Sequence, residues 1–163
     1  IHRDNNTDVP ERLQAIFSAI AEISEDITVV LPMHPRTSKI LSQSLEHNLY
    51  EKIMSDKHIV LLPPVSFFFF FCFERQSNLV LTDSGGVQKE AFFYNKPCLI
   101  LRGETEWREI VECGAATLTD ADKNMILNEY SRFSCNPPHC FPDIFGDGKA
   151  AEFICKTMLK NNN

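Results

Sequence analysis

"LVLTDSGGVQKEAFF", running from Leu79 to Phe93, joins a short apolar run ending in Thr82 to a helical pattern that contains Glu90. Between them stand Asp83, Ser84, Gly85 and Gly86. The run shows no polar alternation and is too short for a core helix, so it reads as a strand buried on both faces. Two glycines at the joint let the backbone turn tightly and let another molecule approach with no Cβ in the way. "CLIL" at Cys98 to Leu101 is a second run of the same kind. Strand, helix and strand in this order make a βαβ unit, which implies a parallel sheet.

The alternation extends in both directions. Leu13, Ile16, Phe17, Ile20 and Ile23 fall on one helical stripe, with Pro10 at its start where a missing N–H does no harm. "ITVVL" (Ile27 to Leu31) and "HIVLL" (His58 to Leu62) read as strands, with a helix over about Ser38 to His47 between them. "TEWREIVECG" is predicted as a helix closed by Gly114, "AATL" as a fifth strand, and further helices start near Asp120 and Asp147. The apolar "VSFFFFFCF" segment is predicted as a helix running through Ser77. Its phenylalanines, Phe67 to Phe71, have two readings, packing as core or flanking a bound base, and the apolar composition favours core. The fold class is α/β: one Rossmann-like domain over residues 1–163, a parallel sheet with right-handed crossovers placing helices on both faces.

Composition narrows the function. With 16 basic and 22 acidic side chains the net charge is -6, which argues against a nucleic-acid surface. No segment reaches the roughly 18 to 20 apolar residues that span a bilayer, and no membrane partner is expected. The opening "IHRDNNTD" carries no cleavable signal, and its lack of a methionine points to a fragment or a natural truncation of a longer protein. The six cysteines form no CxxC pair. Four sit in apolar runs as small hydrophobes, and Cys135, His139 and Cys140 lack the further ligands a zinc site needs. Reduced thiols in a cytoplasmic protein, with no metal, is the reading.

In an open parallel sheet, ligands bind beyond the carboxyl ends of the strands. Asp83 to Gly86 lie at such an end, where free N–H groups and the helix dipole favour an anion. Ser84 adds a hydroxyl, and Glu90 is placed to accept hydrogen bonds from a ribose. The plainer alternative is that Asp83 and Ser84 only cap the helix. His34 and Arg36 follow the first strand, Arg102 follows the fourth, and His2 and Arg3 precede the first helix. A solvated surface explains any one of these, but not their convergence on one rim of an acidic chain.

Four motifs carry a family resemblance. TDSGGxQxEA at Thr82 to Ala91, followed by "KPCLILRGETEWREIVECG", resembles the UDP-N-acetylglucosamine 2-epimerase family, non-hydrolysing type. "HRDNN" resembles its HRxEN motif, "HPRT" its HP motif, and "GDGKAAEFI" its C-terminal GDG signature. The QKEA, KPC and TEW combination is also similar to epimerases acting on UDP-diacetamido-glucuronate, which leaves the sugar open. Asn5 departs from the family's usual glutamate, and Trp107 from the arginine of one branch.

The resemblance implies the C-terminal, nucleotide-binding half of a glycosyltransferase-B-like fold, without the N-terminal domain. The implied reaction inverts C2 of a UDP-2-acetamido sugar by elimination and re-addition of UDP, with no cofactor. Carried over by position, Ser84, Gly85 and Gly86 hold the diphosphate and Glu90 the ribose. His2, Arg3 and Arg102 line the pyrophosphate side, with His2 and Arg102 in catalytic roles, and His34 lies on the sugar-side rim. The family's catalytic carboxylates belong to the other domain, and no base is assignable here. The implied partners are the UDP-sugar and the N-terminal domain of the same enzyme, with a homodimer left open. Two alternatives stand: an inactive UDP-sugar-binding module, and a glycosyltransferase of related fold.

Overall fold

The structure is a computed structural model that describes residues 1–160, the side chain of Lys160 excepted. The chain opens with a short helix α1 (Asp4–Thr7) and then α2 (Pro10–Ile23). β1 (Val29–Pro32), α3 (Pro35–Ser44), α4 (His47–Ser55), β2 (Ile59–Leu62) and α5 (Phe67–Gln76) follow. β3 (Val80–Thr82), α6 (Gly85–Phe93), β4 (Cys98–Ile100), α7 (Arg108–Glu112) and β5 (Ala116–Leu118) form the second part. α8 (Lys123–Cys135) and α9 (Ala150–Lys160) complete it.

All strand pairs are parallel. β1 pairs with β2, Val29 opposite Ile59, and the second ladder has the order β3-β4-β5, with Leu81 opposite Leu99 and Leu99 opposite Thr117. β4 shows why its sequence is apolar without alternation. Leu99 and Leu101 point into the core built on α2 and α8, while Cys98 and Ile100 point into a second core with Ala91, Phe92 and Ile110. Both faces are buried, so both sets of alternate side chains are hydrophobic. The five strands lie where the sequence places them, to within two residues at each end, and the helices do cover both faces.

Three expectations need correction. The helix drawn from Ser38 to His47 is the middle of two helices. The chain goes extended at Leu45, whose side chain is buried, and α4 then runs on to Ser55. The phenylalanine run is not core: Phe67, Phe68 and Phe69 are 65%, 78% and 66% exposed, and Phe71 is exposed too. A helix buries one stripe of its surface, so consecutive residues cannot all face inward. On α5 the buried position is Glu74, flanked by half-buried Phe70 and Phe73. Of the cysteines only Cys98 is buried and Cys113 half-buried; Cys72, Cys135, Cys140 and Cys155 are exposed. Among the described residues, no helix is long and apolar enough to cross a membrane.

Leu99 is fully buried in the centre of the β3-β4-β5 ladder. Leu99→Ala is expected to cost about 2–5 kcal/mol through lost contact and a residual cavity. Urea unfolding checks this.

Candidate functional site

The turn after β3 is organised by Asp83. Its side chain is fully buried and does not cap α6. It turns instead toward the first residues of the chain. The backbone N–H of His2 and that of Arg3 each donate to its Oδ2 at 2.9 Å, and Asn6 Nδ2 donates to the same oxygen at 3.2 Å. Burial by itself would raise this carboxyl; the two backbone N–H groups and the Asn6 amide act the other way, and it lies below the ordinary value. Asn6 also donates to the carbonyl of Leu101 at 2.8 Å, and its Oδ1 accepts from Arg12 Nε at 3.2 Å. Arg12 in turn pairs with Asp120, past β5. One polar chain therefore links the carboxyl ends of β3, β4 and β5.

His2 and His34 come together as expected. Their ring centroids are 5.3 Å apart, and His2 Nδ1 lies 3.2 Å from Asp83 Oδ1. Burial pushes the His2 imidazole below its ordinary value, with His34 and Arg3 acting the same way against the pull of Asp83. His34 is exposed and caps α3, its Nδ1 accepting from the N–H of Arg36 at 3.2 Å. Thr37 donates to the carbonyl of Ile1 at 2.6 Å, joining the HPRT and HRDNN segments directly. The Arg3 side chain is exposed at this rim, while Arg36 turns outward to Asp4 and Asp8.

α6 begins at Gly85 with an open N-terminus. Ser84 is its first flanking residue, yet the hydroxyl makes no capping bond, so the capping alternative fails and the first-turn N–H groups stay free for an anion. Neither glycine has a positive φ, so neither is required by backbone conformation. A Cβ on Gly86 would meet only the Ser84 hydroxyl, at 3.8 Å. On Gly85 it would meet Glu106 Oε2, the mobile tip of a half-exposed side chain, at 3.2 Å. The protein leaves space in front of Gly86, as a closely approaching ligand would require, while the Glu106 carboxylate stands in front of Gly85.

Arg102 reaches this turn already paired. Its two terminal nitrogens donate to Glu106 at 2.9 and 2.8 Å, and this bidentate contact holds the Glu106 carboxyl down at about 2. The other guanidinium N–H groups remain available to a phosphate. Trp107 Nε1 donates to the carbonyl of Gly85 at 2.8 Å, and Lys89 Nζ stacks 4.3 Å from the Trp107 ring. Thr105 donates to Gln88 Oε1 at 2.6 Å. The loop after β4 is thus fastened to the glycine turn at Gly85 and Gln88. Glu90 is half-buried, on the side of α6 facing α5 and Glu74. Sequence reasoning missed Asp83 as organiser, Asn6 as bridge, and Glu74 and Glu106 as neighbours of the site. Glu74 carried a signal in that it is an acid in an apolar helix; the others pair across distances a single sequence does not display.

The profile of the UDP-N-acetylglucosamine 2-epimerase family matches residues 1–159. The chain belongs to that family. It is 37% identical over 161 residues to the UDP-2,3-diacetamido-2,3-dideoxy-D-glucuronate 2-epimerase of Pseudomonas aeruginosa, covering 98% of this chain and 43% of that protein. It is 38% identical over 160 residues to the UDP-N-acetylglucosamine 2-epimerase of Methanocaldococcus jannaschii, covering 97% and 43%. The crystal structure of the M. jannaschii enzyme in complex with UDP-GlcNAc and UDP superposes with a TM-score of 0.85 at 37% identity, over 98% of this chain and 43% of that one. The chain therefore spans less than half the length of these relatives and corresponds to their C-terminal half. The fold of this epimerase-family domain is the Rossmann-like half of a glycosyltransferase-B-type architecture.

Asp83→Ala would strand the donors of His2, Arg3 and Asn6. The expected loss is about 3 kcal/mol or more, since hydrogen bonds to a charged acceptor are worth about 1.5–3 kcal/mol each. Urea unfolding is the check, with the exposed Asn5→Ala expected to stay within about 0.5 kcal/mol of the parent.

Proposed function

We propose that this domain is the nucleotide-binding half of a UDP-2-acetamido-sugar 2-epimerase. The observation that carries the reading is the glycine turn at α6. It combines free N–H groups, open space in front of Gly86, and an opening segment with His2 and Arg3 that is bonded to Asp83 beside it, with Arg102 following β4. In this reading the Ser84–Gly86 turn and Arg102 hold the diphosphate, His2 supports it from the Asp83 side, Glu90 receives the ribose, and His34 edges the sugar. UDP leaves as an anion during elimination, so fixed donors stabilise the transition state more than the bound substrate. Neutral His2, oriented by Asp83, can donate a hydrogen bond or shuttle a proton. Proton removal at C2 calls for a base within hydrogen-bond reach, and we assign it to a further domain of the same enzyme, working in the cytoplasm without a cofactor. The same donors would serve an inactive UDP-sugar-binding module. A glycosyltransferase is disfavoured by family membership.

Gly86→Ala separates ligand space from folding. Stability should hold or rise by up to about 1 kcal/mol, because alanine is the better helix former, while UDP affinity should fall at least about tenfold. Calorimetric titration with UDP, beside uridine as a phosphate-free control, makes the test; unchanged UDP affinity would sink the assignment.

The 163-residue chain alone should fold and bind UDP, yet fail to exchange the C2 proton of UDP-N-acetylglucosamine with solvent deuterium. Exchange at an enzyme-like rate would mean that the base lies in this chain. A longer chain with its further domain that binds UDP but still fails would favour the inactive module.

A further inference from the structure

We propose that Glu74 is a positioning residue that carries a proton to the Glu90 carboxylate and so holds Glu90 in place for the ribose, making nucleotide affinity depend on solution pH. The inference rests on the nucleotide-binding reading above and extends it to a residue that no motif covers.

The starting point is an orphan. Glu74 is 4% exposed, and neither of its carboxyl oxygens has a hydrogen-bond partner. A buried carboxylate without partners is among the costliest groups a fold can hold, and taking up a proton is the ready remedy. The polar group acting on it is Glu90, from α6. Two ionised carboxylates are both acceptors, so nothing joins them until one bears a proton; then a single O–H donates from one to the other. No other neighbour offers the same relief. Arg75 is exposed and reaches neither oxygen. Tyr94, at the end of α6, lies near both carboxyls, Cys98 of β4 lies near Glu74, and Cys72 lies on α5 itself. The Tyr94 ring stacks edge-on against Phe71 at 4.7 Å, roofing this side of α5 and α6.

Burial first, and Glu90 second, push the Glu74 carboxyl up to about 8. The folded form therefore keeps the proton at neutral pH, where an unfolded chain has lost it. The stabilisation is full below the ordinary carboxyl value of about 4.5 and declines as pH rises to about 8. Above that, Glu74 ionises beside Glu90, the joining proton is gone, and repulsion turns Glu90 away from the ribose. The opposite end of the nucleotide, at Gly85, Gly86 and Arg102, lies outside this pair and should not feel the change.

The test uses the 163-residue chain, Glu74→Gln and Glu74→Leu, with UDP and inorganic pyrophosphate as probes at pH 7 and pH 9. The parent should lose up to about tenfold in UDP affinity between the two, the limit reached when only the protonated form binds. Glu74→Gln keeps a donor and cannot ionise. It should match the parent at pH 7 and hold that affinity at pH 9, which also subtracts the titration of UDP itself. Glu74→Leu fills the site without a donor and should bind UDP weakly at both values. Pyrophosphate should bind all three forms alike at each pH. Thermal midpoints should drop from pH 7 to 9 in the parent and not in Glu74→Gln. Parallel pH profiles in parent and Glu74→Gln would overturn the proposal, as would Glu74→Leu binding UDP like the parent at pH 7. Failure of the parent to bind UDP at pH 7 would instead overturn the nucleotide reading, and the ribose role of the pair with it.

Discussion

Everything at the carboxyl end of the second ladder depends on one buried charge. Asp83 is removed from water, so its oxygens must be met by donors, and those donors are the N–H groups of His2 and Arg3 and the amide of Asn6. Between 77 and 81 positions separate the partners in sequence. The ion thereby pins the opening segment across β3 and β4, with Asn6 continuing to the Leu101 carbonyl. It has a second effect through what it leaves undone. Because Asp83 turns inward, it does not cap α6, and the helix offers its N–H groups outward. One side chain both brings His2 to the rim and leaves the first turn of α6 uncapped.

How far the sequence could be read follows from the range of each interaction. β3 and β4 were legible because burial on both faces removes polar residues from a strand altogether, a local signature. The glycine turn was legible because two glycines between a strand and a helix have few other uses. The partner of Asp83 was not legible, since an aspartate at a strand end looks the same whether it caps the next helix or reaches back to His2. Arg102 follows β4 as its position in sequence indicates, but its bidentate contact with Glu106, four residues on, depends on a loop conformation that spacing alone does not specify.

The phenylalanine segment shows where composition misleads. Composition counts apolar residues, whereas burial on a helix is a matter of direction. α5 turns only one stripe toward α6, and the sequence puts Phe70, Phe73 and Glu74 there. The acid is inside and most of the phenylalanines are outside. An acid within an apolar helix is the kind of local inconsistency expected beside functional sites, and here it falls against Glu90.

The rim is also less positive than a tally of arginines suggests. Arg102 is matched by Glu106, Arg12 by Asp120, and Arg36 by Asp4 and Asp8. Such partly exposed pairs add little to stability; their effect is to fix geometry. An arginine held on one edge by a carboxylate presents its remaining donors in a set direction, and a helix end presents N–H groups that cannot rotate away. A flexible cluster of free cations would bind an anion more strongly on arrival, but would spend much of that attraction on ordering itself. Donors ordered beforehand gain as charge grows, and in the proposed reaction it grows on the departing diphosphate. An acidic domain can serve an anionic leaving group in this way, because the direction of its donors matters more than its net charge.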